Sequence, residues 1–598
     1  MFTIDHNLLR YQVIGIIPAK FRHTLSINDM PNDMPTTILT TDGTSTIEEQ
    51  ITFSKRKYEE TDFHKSIEIA EAAERFAKNT IERLKVAQLK AQSLVALNAL
   101  TQVTEVTQKA LDIVGFTFET QPPTVQTSDL SKLPFMSEED KTVLYLIKLT
   151  GEAAYMINPE LCYKAIWSEY TYCIKHGISS LAAVAFCDYG FFLCASGKIE
   201  EGHKLGQHAL YLLNKFCYSE FKTTILELFY CNINHWASSA HDAIIPLEEA
   251  FLDGIKNKEF LFAGIAAVGR CDSLFFCGKN LKRIEQEYQR YFNAFELMGI
   301  DYPCLYGSAT RHLCLSLQGK PSKLDFDALK GNQTALLAAY ISELICSYIL
   351  RKSDAIEYAQ EASKILDSAP GQIIIPQHNF YYSLALLASP KSSDAIISQV
   401  SQNQEKMKKW ASYAPINFQH KYYLVEAEKA AKMGDITNAE KFFLRSIELA
   451  IANNYPHEAA LSSEKLGEFY LKTGQNKLAE NKFLYSREGY LNWNAIAKVR
   501  ELEARFDFLR PQKNNKVENS NQGIVNDFLS LQIPSYQKSL SAYNIHFNSI
   551  TNTIIINCSN SYDEIMLRSI ERELVKLQGV KILISNEEVI EQQGKGSY

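Results

Sequence analysis

The sequence predicts a mainly α protein: a tetratricopeptide-like, right-handed helical-repeat solenoid carrying a small C-terminal α/β module. Three observations predict it. First, a unit is duplicated between His420 and Leu509. Gly434, Ala439, Glu440, Phe443 and Ser446 recur 40 residues later as Gly474, Ala479, Glu480, Phe483 and Ser486, and the small residues Ala427 and Gly467 match at the same offset. A period of this length marks stacked helix–turn–helix units, none of which can bury its apolar face alone. Second, apolar helical segments alternate with short breaks through most of the preceding chain. Third, the composition changes at Arg510, where an Asn/Lys/Ser-rich stretch leads into runs of β-branched residues.

Residues 1–55 read as an irregular N-terminal segment. Tyr11–Ile17 has the pattern of a short strand ended by Pro18. Met30-Pro31, Met34-Pro35 and the Thr-rich Thr36–Ser45 disfavour helix. The solenoid is expected over 56–509. Phe63–Thr80 carries Phe63, Ile67, Ala70, Ala73 and Ala77 at i+3 and i+4 steps, a small-residue face suited to close packing. Ile81–Asn98 repeats the spacing with Leu84, Ala87, Ala91, Leu94 and Val95, and Thr101–Val114 makes a third helix that stops near Gly115. After Gln121-Pro122-Pro123 and Leu133-Pro134, Ser137 is an N-cap and Glu138-Glu139-Asp140 a first turn that complements the helix dipole.

From 138 to 410 the helix breaks are Asn158-Pro159, Lys175-His176-Gly177, Ser196-Gly197-Lys198, Asn257-Lys258, Cys277-Gly278-Lys279, Gly319-Lys320-Pro321, Pro370-Gly371 and Ser389-Pro390. Glycine there can take the left-handed conformation that ends a helix. Gly197 and Gly202 echo the Gly434/Ala439 spacing, which extends the repeat toward the N-terminus. Ala495–Leu509 reads as a terminal helix with a charged capping side. Residues 510–540 read as linker and 541–598 as the α/β module. In that module Ile545–Phe547, Thr553–Cys558 and Val580–Ser585 are expected strands and Asp563–Leu577 a helix.

The totals fit this architecture. A formal net charge of −7 over 598 residues argues against a nucleic-acid or anionic-membrane partner. No run of 18 apolar residues predicts a membrane span. The cysteines are scattered through apolar helices without a CxxC pair or a secretory signal, as in a protein of the reducing cytoplasm.

Motifs that would carry chemistry fail on context. Asp188-Tyr189-Gly190 resembles a kinase magnesium triplet, but no His-Arg-Asp loop or Gly-rich loop accompanies it. Gly594-Lys595-Gly596-Ser597 lacks the strand before and the helix after that a phosphate loop requires. His203 and His208 are five apart, off the i, i+4 register that stacks two ligands, and His235 and His241 flank Trp236 without further ligands at metal spacing. No catalytic, cofactor-binding or metal residue is therefore assigned, and no cofactor is expected. Tyr381-Tyr382, Tyr422-Tyr423 and Phe442-Phe443 could line a groove, although helical spacing favours core.

Several ordered stretches carry a resemblance. They are Asn158–Leu161, Tyr189-Gly190 through Gly197, His235-Trp236, Phe262–Gly264, Phe275–Gly278, Asn379–Leu384, Trp410–Pro415 with Asn417, His420–Glu428, and Trp493–Val499 with Leu502-Glu503. Together they resemble the central helical region of the large multi-domain bacterial signalling kinases common in cyanobacteria. In that family a Ser/Thr kinase and an AAA-type NTPase precede a tetratricopeptide-like region, and GAF and histidine-kinase modules follow it. The resemblance spans about residues 60–509. The chain shows none of the family's catalytic motifs, so kinase activity is not implied.

The resulting expectation is a non-enzymatic, cytoplasmic, bacterial signalling scaffold that binds a protein or peptide partner on its concave surface. One alternative is a regulator whose superhelix encloses a small molecule, which would need a deep polar pocket. Another is a remnant of a multi-domain kinase. A third places an enzyme site in the C-terminal module, where Asp563, Glu564 and Cys558 are the candidates.

Overall fold

The computed structural model describes residues 46–510 apart from 98, 126–129, 217–219, 258, 299–301 and 391–393, together with three strands between 543 and 586. Contacts divide the chain into two units, Met1–Leu509 and Arg510–Tyr598.

Among the described residues the first unit contains only helices, turns and a single bridge between Phe135 and Ile178. In chain order they are α1 (Ile47–Glu59), α2 (Phe63–Glu74), α3 (Thr80–Ala96), α4 (Leu100–Ile113), α5 (Glu138–Ile157), α6 (Pro159–His176), α7 (Ser180–Ala195) and α8 (Ile199–Lys215). There follow α9 (Lys222–Leu228), α10 (Ile244–Asn257), α11 (Phe260–Phe276), α12 (Leu281–Met298), α13 (Tyr302–Gln318), α14 (Phe326–Leu329), α15 (Gln333–Ile349) and α16 (Ala355–Ser363). The last are α17 (Ile374–Ala388), α18 (Asp394–Tyr413), α19 (Pro415–Lys432), α20 (Ile436–Ala452), α21 (Pro456–Lys472), α22 (Asn476–Trp493) and α23 (Ile496–Arg505).

Local chemistry sets the boundaries. Ser137 caps α5 by accepting from Asp140 N at 3.1 Å. Asn158 caps α6 by accepting from Leu161 N at 3.2 Å, with Pro159 in the first turn where its missing N–H costs nothing. Gly197, Gly434 and Gly474 end their helices with φ of +84°, +81° and +78°. Five residues on, Gly202, Ala439 and Ala479 are buried, so the Gly197/Gly202 echo marks the same structural step as the clear repeats.

The helices stack as hairpins, and α5, α7, α9, α11, α13, α15, α17, α19 and α21 also touch one another in succession. Closer packing on that side curves the stack toward it, so these helices form the inner layer. Burial agrees: 13 of the 17 residues of α21 are buried, against 5 of 17 in the neighbouring outer helix α20. One hydrophobic core runs from Leu130 to Leu509, with smaller clusters beneath α2–α5.

Two expectations need correction. Helix starts at Ile47, inside the segment 1–55 read as irregular, because Thr46 and Glu49 form a reciprocal capping box that the Thr-rich composition obscures. The strand expected at Tyr11–Ile17 lies outside the described residues. The terminal helix turns Arg500 to solvent but not the rest of its charged side. Lys498 of α23 is buried, because Glu464 of α21 receives it.

In the second unit, β1 (Tyr543–Asn548) pairs antiparallel with β2 (Thr553–Cys558), and β2 pairs parallel with β3 (Lys581–Asn586). A parallel β2–β3 pair requires a crossover connection. The helix expected at Asp563–Leu577, together with Asp563, Glu564 and the Gly594–Ser597 tail, lies outside the described residues.

Candidate functional site

The motifs weighed for chemistry are dispersed. Asp188-Tyr189-Gly190 lies within α7, where Gly190 lets α8 approach: a Cβ on it would stand 2.8 Å from Gly202 O. His203 Nε2 bonds the Ser238 hydroxyl at 3.0 Å, His208 packs on Phe186, and His241 packs on Tyr455. Among the described residues no three His, Cys, Asp or Glu side chains stand in metal-binding geometry. Tyr381 and Phe443 are core, while Tyr382, Tyr422, Tyr423 and Phe442 are half-buried.

Many of the stretches that carry the family resemblance converge instead on one interior seam. After α9 the chain passes through a π turn (Phe229–Ile233) and two 3₁₀ turns (Asn234–Trp236 and Ala240–Ala243), which carry it toward α19 and α21. Asn417 of α19 clamps this segment with three of its four amide bonds, the fourth going to Tyr455. Its Nδ2 donates to His235 O at 2.8 Å and Ser238 O at 2.7 Å, and its Oδ1 accepts from Ala240 N at 3.0 Å and Tyr455 Oη at 2.8 Å. Trp236 donates from Nε1 to Gly371 O at 2.9 Å and packs its ring on Trp410 and Phe418. Phe275 meets Trp493, Asn280 donates to Asn492 O at 3.0 Å, and Gly278 (φ +69°) lies against His457 so closely that a Cβ would collide with its ring.

Ionic groups fill the same interior. Glu458 of α21 accepts from both Lys421 and His420 of α19, all three nearly inaccessible. Burial pushes the Glu458 carboxyl up, but Lys421 and His420 overcome it and hold it well below the usual range. The Lys421 ammonium also lies 5.3 Å from the Phe380 ring centroid and 5.2 Å from that of Tyr455. Burial pushes His457 down to about 3, so it is neutral. Farther along, Glu464 and Glu468 of α21 and Glu501 of α23 are met by Lys465, Lys498, Arg351 and Arg505, which ties α21 and α23 to the end of α15. The cavity among His235, Gln377, Asn417, Lys421 and Tyr455 has room for about one water. It could not hold a metabolite.

The N-terminal part of the inner layer differs. Lys148 and Glu152 of α5 pair with each other, and around them stand Glu169 of α6 and Asp188 of α7, with Glu227 of α9 beyond Asp188. Glu169 is 3% exposed and Lys148 9%, whereas Asp188 and Glu152 are half-buried. Burial pushes the Asp188 carboxyl up to about 7, Lys148 opposing and Glu152 adding to the rise. Burial likewise raises Glu169, which has no hydrogen-bond partner among the described residues to offset it, and raises Glu227 to about 8. Half-buried Tyr58 and Tyr145 share the field of the Lys148–Glu152 pair. Sequence reading missed this cluster because its members lie on separate helices, 40 residues apart from Lys148 to Asp188.

No protein-family model matches the chain, and no curated protein matches it. Among solved structures, the APC/C hetero-tetramer Cut9–Hcn1 is 11% identical with a TM-score of 0.40, the match covering 83% of this chain and 93% of that one. Naa15/Naa10 bound to HypK-THB is 11% identical with a TM-score of 0.19, covering 83% and 81%. Among the described residues no helix is long and apolar enough to cross a membrane.

Proposed function

We propose that the chain is a non-catalytic helical-repeat scaffold that holds a protein partner on the inner face of its N-terminal half. One observation carries the reading: the inner layer is used in two ways. Beyond α11 it is packed against its own later helices. From α5 to α9 it leaves Glu152 and Asp188 half-buried, beside the buried Lys148. Such a surface fits a partner better than it fits a core. The resemblance of the ordered motifs to the helical region of bacterial signalling kinases supports a cytoplasmic signalling setting.

The test is affinity capture from a lysate of the source organism, with the full chain and a Glu152→Lys/Asp188→Lys variant whose helicity is unchanged. The reading expects a partner held by the parent and lost by the variant. Identical capture by both would remove the inner face from consideration.

A further inference from the structure

We infer that the partner segment seated on this inner face is cationic, presenting a lysine or arginine side chain to Glu152, Glu169 and Asp188. The inference rests on the scaffold reading above and names the chemistry of its ligand.

The first support is a charge imbalance at a built place. Three carboxyls on three successive helices share one ammonium, Lys148, and that ammonium is already engaged by Glu152. At the seam, by contrast, the acids have basic partners: Glu458 has Lys421, and Glu464 has Lys498 and Arg505. The second support is independent of the acids' number. Glu169 is more than nine-tenths buried, has no hydrogen-bond partner among the described residues, and lies beside Gly151, where a Cβ would stand 3.5 Å from its Oε1. A buried carboxyl without a donor is costly. The charged neighbours of Glu169 are Asp188, Lys148 and Glu152, and a guanidinium or ammonium arriving among them would supply the missing donors.

Protonation adds a signature. The groups facing Asp188 are Lys148 and Glu152 from α5, Cys162 and Glu169 from α6, its neighbour Cys187, and Glu227 from α9. Among these, the carboxyls of Glu169 and Glu227, like that of Asp188, are raised in the free protein. A bound cation would lower them, so binding near pH 7 releases protons and tightens as pH rises.

The experiment titrates the full chain with a fluorescein-labelled arginine–alanine octapeptide and, separately, with its glutamate–alanine counterpart. It uses calorimetry in two buffers of different ionisation enthalpy. The expected result is binding of the cationic peptide alone, with net proton release at pH 7. Affinity should fall at least tenfold in Glu169→Gln/Asp188→Asn and stay unchanged in Asp327→Asn/Glu357→Gln, which removes exposed acids elsewhere. Equal affinity in the site variant, or binding without proton release, overturns the inference. If the cationic peptide fails to bind while a lysate partner is still lost from the inner-face variant, the cationic chemistry is wrong and the scaffold reading stands.

Discussion

Two polar regions of the helical stack look alike in composition and behave oppositely. At the seam, Glu458, Glu464, Glu468 and Glu501 are set against Lys421, Lys465, Lys498, Arg351 and Arg505. In the N-terminal half, Glu152, Glu169 and Asp188 are set against Lys148 alone. Burial penalises charge in both places, and its outcome depends on partners. With cations at hand, the seam carboxyls Glu458, Glu464 and Glu468 stay ionised below their usual range. Without them, Asp188 and Glu227 hold their protons to near neutrality. Buried charge in a solenoid is therefore not by itself a binding site. A balanced cluster closes the structure, and an unbalanced one leaves something to be supplied.

The sharpest way to break the comparison is to unbalance the seam. Lys421→Met leaves Glu458 buried with only His420 and His457 beside it, and should cost about 3–5 kcal/mol in the urea transition of the C-terminal half. Adding Glu458→Leu should restore much of it, because a packed apolar pair replaces a balanced ionic one at little net cost. A loss under about 1 kcal/mol for the single variant would mean the seam is wet and open in solution. Next, Asn417→Leu strands Ala240 N, two backbone carbonyls and the Tyr455 hydroxyl, for an expected loss of about 3 kcal/mol. Protease cleavage within 229–243 should increase in parallel, and unchanged protection there would show that the segment is held by Trp236 instead.

Further down the scale, Gly202→Ala tests packing without charge. A Cβ there would collide with Gly190 O and the Cys194 sulfur, so the α7–α8 pair must part. The expected loss is about 1–3 kcal/mol, read by thermal unfolding at fixed pH. A neutral result would show that this pair has slack, and with it the adjoining acid cluster.

What could be read from the sequence divides along the same line. Helix existence was legible from period and caps: Ser137, Asn158-Pro159, Gly434 and Gly474 do locally what their types dictate. The strands were legible from β-branched runs, and β2 spans Thr553–Cys558 as expected. The seam was half legible. The ordered motifs at His235, Phe275, Asn379, Trp410, His420 and Trp493 stood out as a series, but nothing in a linear pattern says that Asn417 bonds the backbone 177 residues earlier. The charged side of α23 misled, because an exposed cap and a buried ionic contact have the same composition. The acid cluster was invisible, since Asp188 was weighed as part of a kinase-like triplet and Lys148 and Glu169 had no local signature at all.

The smallest expected effect is the one that tests the comparison most directly, because it is a difference in sign. For Asp188, Glu227 and Glu259, burial raises the folded-state pKa, to about 7, 8 and 7. The folded chain therefore binds more protons than the unfolded one, and stability from these groups is greatest below the unfolded carboxyl range and is lost as pH rises through 7 and 8. For Glu458 and Glu468 the folded-state pKa is depressed, so their contribution is present at neutral pH and is lost only as pH falls below the unfolded value. Thermal unfolding should thus be highest near pH 5–6 and decline toward pH 8.5, on the high side because of the N-terminal acids and on the low side because of the seam. Asp188→Asn removes one contributor to the high-pH decline. It should raise stability at pH 8.5 by about 1 kcal/mol, well below a full conversion of the shift because the side chain is half-exposed and screened, and should leave the acid limb unchanged. A variant that moves both limbs equally would mean that the two regions share one electrostatic environment, and their separation into a closing seam and an open acid face would be lost.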